Sequence, residues 1–401
     1  MTPNAAAVLL LCAALPVCAQ QHTRNLSVAA GDPILEKGLQ ALYNLEYDVA
    51  RRSGEEFVRK HPDNPIGHLY MAGILWWQAT TELAGGNPDP ALVQVFHQSV
   101  SETVDISKLL FKADDIALRS DGYFSAGMAL GLQGQMRLAE GQYVGAYRSG
   151  KKAIKYLKKC VKSDPRYYDA YLGLGVFDYQ VAVLPGAIKL GARMLLRGTG
   201  NAQRGLERIQ LTVNKGSFSS RQAAGFLLTI YVLNEKDYAK ALTLTESLRR
   251  DFPLSPYFRF IESMLLHRLG RDTESYRKAY ELFSALRTDS ASFGRKQVGT
   301  LCGLYGAACL ERENLEISLT WLTMAVLAAE RDAADKGWTA YLVFYRGMVN
   351  DLLDRREAAL TDYRRALKLP DFHGTQRWAA QRLKTPCQPR DAARFMRGES
   401  L

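Results

Sequence analysis

The stretch YDAYLGLGVFDY, Tyr168 to Tyr179, decides the reading of this chain. Tyr171, Leu174 and Gly175 set a ring, an aliphatic side chain and then no side chain at all along a single helical turn. Glycine removes the Cβ that would hold two backbones apart, so such a helix packs tightly on its neighbours. Working outward, small residues and closing prolines recur in four further segments. The first carries Gly38, Ala50 and Pro62, and the second Ala153 and Pro165. The third carries Ala241 and Pro253, and the fourth Gly347, Ala359, Tyr363 and Ala366. Ala50 to Ala153 is close to three periods of about 34 residues. Ala153 to Ala241 is two such periods plus roughly 20 residues, which matches an extra segment, Val181 to Gly200. Ala241 to Ala359 is three periods plus roughly 16, which lengthened helices and loops at Thr288 to Gln297 and near Asp332 accommodate.

This register resembles that of tetratricopeptide-repeat (TPR) proteins, whose signature places an aromatic residue, then Leu and Gly, where Tyr171, Leu174 and Gly175 stand. The resemblance covers most of the chain from Pro33 to Pro370 and implies an all-α fold, a right-handed α-solenoid of helix-turn-helix repeats. A looser resemblance rests on Gly173 to Gln210, GLGVFDYQVAVLPGAIKLGARMLLRGTGNAQRGLERIQ, where an apolar Leu-Pro segment and a Gly-rich turn follow a repeat helix. It is to exported bacterial repeat proteins and to repeat proteins of the mitochondrial outer membrane that act in inclusion-body clearance.

Composition agrees with a helical globular chain. The apolar share of 47% against 23% charged residues is that of a chain able to bury a core, so disorder is not expected. Helix-favouring runs are separated by Pro and Gly clusters, with no series of alternating strands. The expected organisation is residues 1–19 as a signal peptide, 20–32 as a flexible segment, 33–370 as the solenoid with its insertion at 181–200, and 371–401 as a C-terminal cap. Trp378, Leu383 and Phe395 are the apolar residues of that cap.

Export is expected from the first 19 residues. They contain no Lys, Arg, Asp or Glu, run apolar from Ala5 to Leu15, and end in Val17-Cys18-Ala19 before Gln20. Small residues at such positions suit signal peptidase. Lipidation at Cys18 is a second reading, set back by Pro16 and Val17 where that motif prefers small residues. The expected location is the periplasm or the extracellular space, with outer-membrane association open. Of the remaining cysteines, Cys302 and Cys309 lie about 10 Å apart along one helix, too far for a disulfide. Cys160 reads as a small hydrophobe. No CxxC or paired His spacing suggests a metal, and no cofactor is expected.

The net charge of +11 is unevenly placed. Lys151, Lys155, Lys158, Lys159 and Lys162 recur at helical spacing opposite Ala153, Leu157 and Cys160. In the insertion, Lys189, Arg193 and Arg197 fall four apart, giving a short basic amphipathic helix after Pro185. Either stripe is a solvated face or a surface for anionic lipid, acidic glycan or an acidic protein. Nucleic acid is not expected, because the basic runs lack interleaved aromatic residues and the chain reads as exported.

In the family resembled, the first helix of each repeat lines a concave surface that holds ligands. Carried onto this chain, those positions include Leu172, Val176, Tyr179, Phe226, Ile230, Tyr341 and Phe344. They are apolar and aromatic and lack the Lys, Arg and Asn of a carboxylate clamp. They suit a peptide with hydrophobic anchors, or else they are core buried by tight winding. The resulting expectation is a non-enzymatic scaffold of the cell envelope that binds a protein or peptide partner through this groove. The alternative is a peripheral membrane or envelope-polymer adaptor acting through the basic face. A glycan-active helical toroid is third, with Asp114 and Asp115, or Asp351 and Asp354, as acid and base; carboxylates so placed are usually caps.

Overall fold

The computed structural model describes residues 29, 31–83, 90–183, 200–271, 314–331, 336–372 and 374–396, with helical stretches between 273 and 282 and between 302 and 310. The expected signal peptide, including Cys18, lies outside the described residues. So does the part of the insertion that carries Lys189, Arg193 and Arg197.

The fold is all-α, and among the described residues no strand is present. Its helices form TPR-like antiparallel pairs. The first unit contains α1 (Pro33–Tyr43) with α2 (Tyr47–Lys60), then α3 (Pro65–Leu83) and α4 (Pro90–Leu109), the latter packed on α5 (Ile116–Ala139), which pairs with α6 (Tyr143–Ser163). It continues with α7 (Ala170–Val183) and α8 (Ala202–Lys215), then α9 (Ser220–Thr229) and α10 (Tyr238–Asp251). The second unit, Leu254–Leu401, contains α11 (Pro256–Arg268), α12 (Leu315–Arg331), the pair α13 (Lys336–Leu352) and α14 (Arg356–Ala366), and finally α15 (Thr375–Lys384) and α16 (Pro389–Met396).

One turn geometry recurs. The N–H of Glu46 donates to the carbonyl of Ala41, Gln142 to Arg137, Arg271 to Leu266 and Arg355 to Asn350. The residue before each donor, Leu45, Gly141, Gly270 or Asp354, has a φ of 67°, 75°, 77° or 58°. This six-residue closure satisfies a helix's last carbonyls and turns the chain back on itself. Its repetition at corresponding places is structural evidence for the repeat, independent of sequence spacing.

The residues that marked the repeats are where backbones meet. Ala50, Ala241 and Ala359 are fully buried and Ala153 nearly so. A Cβ on Gly175 would lie 2.8 Å from the carbonyl oxygen of Gly205, and one on Gly205 would lie 2.7 Å from the amide nitrogen of Tyr179. The two glycines thus bring α7 and α8 into backbone contact. Cys160, Cys302, Cys309 and Cys387 are buried free thiols. Burial pushes Cys302 and Cys387 up to about 12, so both stay protonated and inert.

The first unit also closes on itself. Gln40 of α1 donates through Nε2 to the carbonyl of Asp251 at the end of α10, 3.2 Å away. Beside it the rings of Tyr43 and Phe252 lie 4.1 Å apart between centroids. Phe252 is fully buried, with Trp77 against Tyr43 and the Arg221 guanidinium over the Phe252 ring.

Candidate functional site

Two surfaces follow from the sequence reading: the apolar positions on the first helices, and the basic face of α6.

The apolar positions are mostly occupied. Leu172, Val176 and Tyr179 of α7, Ile230 after α9 and Phe344 of α13 are buried, while Phe226 and Tyr341 are half-buried. This differs from an open groove lined by these side chains, and the reason is local in each unit. In the first unit α7 is buried on nearly every side, as expected of a helix apolar all round. Its Tyr179 hydroxyl donates to Glu235 at 2.6 Å. In the second unit the C-terminal helix α16 turns back onto α13. The Phe395 ring lies 4.7 Å from that of Phe344, 5.6 Å from Tyr341 and 5.4 Å from Tyr345, with Trp378 of α15 at 5.6 Å. Phe372 closes the rim against Trp338 and Tyr341. The sequence places Phe395 in a cap, and the structure inserts its ring among the aromatic residues of α13. The signal available was the alternation of Arg390, Ala392, Ala393 and Phe395 in PRDAARFM, which gives a short amphipathic helix.

Two of the carboxylates weighed as acid and base, Asp115 and Asp351, hold the fold. Asp115 is the N-cap of α5 and accepts from the Ala117 and Leu118 amides at 2.7 and 3.3 Å. Asp351 is a buried hub: it accepts from Arg356 Nη1 through both oxygens at 2.9 Å, from the Tyr363 hydroxyl at 2.9 Å and from the Cys387 amide at 2.7 Å. Asp354 holds the positive-φ position of the α13–α14 turn. Asp114 is exposed beside the cap, and of these four carboxylates Asp351 is the buried one.

Other buried acids join successive helices and left no mark in the sequence reading. Asp178 of α7 accepts from Arg204 Nε and Nη2 at 2.9 and 2.7 Å, and from Arg208. Asp169 accepts from the backbone amides of Ser217, Phe218 and Ser219, tying the start of α7 to the α8–α9 turn. Asp362 accepts a forked pair from Arg346 at 2.9 and 2.6 Å.

The basic face of α6 is on the surface. Lys151, Lys155, Lys158, Lys159 and Lys162 are all exposed, as are Arg148 and Lys152. The helix contains no Asp or Glu. Its opposite side is buried through Ser149, Ala153, Leu157 and Cys160. The Lys159 ammonium sits 5.2 Å from the centre of the Tyr123 ring and that of Lys151 5.8 Å from Tyr147. Tyr123 also belongs to a half-buried cluster with Phe111 and Tyr156, in which the Tyr123 and Tyr156 rings lie 4.6 and 5.0 Å from that of Phe111.

Paired antiparallel helices, a repeated turn and small residues at the pair contacts define a TPR-like repeat protein. No family model and no curated protein matches the sequence. Among solved structures it is similar to yeast Tom70, at 10% identity over 93% of this chain and 91% of that one, with a TM-score of 0.33. It is also similar to the P58(IPK) TPR domain, at 13% identity over 88% and 96% of the two chains, with a TM-score of 0.21.

Proposed function

We propose that this chain is a non-enzymatic scaffold that binds a protein partner through a helix carrying an aromatic anchor. The observation that supports this reading is the seating of Phe395 among Tyr341, Phe344, Tyr345 and Trp378. There the second unit accommodates a short amphipathic helix through one aromatic residue, which is the helix-in-groove mode of recognition. A partner helix of the same pattern would compete with α16 for the face. The compartment we propose is the periplasm or extracellular space, on the strength of residues 1–19.

The test uses a labelled peptide spanning residues 386–401 and the full chain in two forms, natural and Phe395→Ser. We expect the variant to bind the peptide by fluorescence anisotropy, and the natural chain to bind it far more weakly because its own α16 holds the site. A variant that keeps its helical circular dichroism yet captures no peptide would make the α13 face ordinary core and remove the support for this reading.

A further inference from the structure

We propose that α6 lays its lysine row on the surface of an anionic lipid bilayer. This goes beyond the protein-binding reading and stands on a different unit of the chain.

The row comprises Lys151, Lys152, Lys155, Lys158, Lys159 and Lys162, continued toward the N-terminus by Arg148. At 1.5 Å per residue it extends over about 20 Å, as an outward face directly opposite the buried one. None of these side chains forms an ion pair among the described residues, although ion pairs occur elsewhere on the surface, as at Lys60–Glu56 and Arg51–Asp48. The row is thus a concentration of uncompensated charge on an exposed helix.

Three observations favour a lipid surface over an acidic polypeptide. First, the cations are almost all lysines. An ammonium on a flexible stem is a point charge without the forked geometry that suits a fixed carboxylate, and it adapts readily to a fluid layer of headgroups. Second, large apolar side chains stand in water at the same helix's start. Val144 is 64% and Tyr143 65% exposed. Val144 precedes Arg148 by four residues and Lys151 by seven, so it shares their side of the helix. An aliphatic residue in line with a lysine row, beside an exposed tyrosine, is the composition that enters the interfacial layer of a bilayer. Third, the row stands exposed along its length while the opposite side of α6 is buried, and an outward helix face suits a flat surface better than an extended chain needing walls. Among the described residues no helix is long and apolar enough to cross a membrane. The contact is therefore one of lying on the surface, with the lysines supplying attraction and Val144 and Tyr143 shallow insertion.

The experiment is co-sedimentation of the full chain with vesicles of phosphatidylcholine alone and of phosphatidylcholine mixed with phosphatidylglycerol. We expect binding only to the mixed vesicles, weakening as salt rises. The variant Lys151→Glu/Lys155→Glu/Lys162→Glu should bind them more than about tenfold less well. The same charge change placed at Lys60, Lys336 and Lys384 should leave most of the binding intact. Val144→Asn should weaken binding while preserving its salt dependence. All the substituted lysines are exposed, and circular dichroism checks that the variants fold. Equal loss in both triple variants would reduce the effect to net charge and overturn the assignment to α6. Equal binding to the two vesicle types would overturn it as well, and so would tighter binding to polyglutamate than to vesicles, which would make the row a site for acidic protein.

Discussion

The Tyr167 hydroxyl donates a 2.6 Å hydrogen bond to Asp121 Oδ1, joining the segment before α7 to the buried side of α5. Both residues are buried. Burial is the main influence on the Asp121 carboxyl and raises it to about 7; the Tyr167 hydrogen bond lowers it, and Asp169 and Asp115 add to the rise.

Stability should therefore fall with pH across this carboxyl's range. In the unfolded chain Asp121 loses its proton near 4, and in the folded protein near 7. Between those values the folded state holds the extra proton. The contribution is fully present below about 4, is lost as pH rises through about 7, and stays lost above. Asp169 is shifted in the same direction by burial, so it adds to the slope. Asp121→Asn should flatten the dependence, with stability at pH 8 equal to or above that of the natural protein. Urea midpoints measured from pH 4 to pH 8 read this directly, and an unchanged slope would remove Asp121 from the account.

Asp169→Ala should be among the most damaging single changes in the first unit. It leaves the amides of Ser217, Phe218 and Ser219 without their acceptor. Each orphaned buried donor costs roughly 1–3 kcal/mol, so a loss of about 3 kcal/mol or more is expected from thermal or urea unfolding. Asp169→Asn should recover part of it, because one amide oxygen still accepts.

Two glycines should respond in opposite directions. Gly175→Ala forces a methyl to 2.8 Å from the Gly205 carbonyl and 2.9 Å from Ile209 Cγ1, and should destabilise by about 2 kcal/mol. Gly131→Ala in α5 meets nothing within 4 Å and should stabilise by up to about 1 kcal/mol through helix propensity. Paired melting curves decide both, and a neutral Gly175→Ala would mean that α7 and α8 can separate at little cost.

Asp351 and Asp354 should separate just as clearly. Asp351→Ala strips the half-buried Arg356, the buried Tyr363 and the Cys387 amide of their shared acceptor and should cost about 3–5 kcal/mol. Asp354→Gly relieves a left-handed backbone and should be neutral or stabilising by up to about 1 kcal/mol. Denaturant titration of the two variants checks the contrast, and comparable losses at both sites would contradict it.

The repeat was legible because its marks are local. Gly175, Ala50, Ala153, Ala241 and Ala359 sit where one helix touches the next in sequence, so their spacing follows the pair-to-pair distance. The lysines of α6 were equally legible, since a helix with one apolar side shows its other side in the same pattern. The surroundings of Tyr341 and Phe344 were not. A first-helix position reads the same whether it faces solvent or a distant piece of the chain, and here Phe395 arrives from beyond α15.

Sequence alone determined that this protein is a helical array with a TPR-like register, and which side of α6 is charged, because both depend on neighbours a few residues to one repeat apart. Only the tertiary structure decided that Tyr43 meets Phe252, that α16 covers α13, and that Asp169 and Asp351 anchor turns rather than face a substrate. Those outcomes depend on small rotations accumulated from pair to pair, and on single long-range contacts that satisfy buried charge. Neither leaves a period in the sequence.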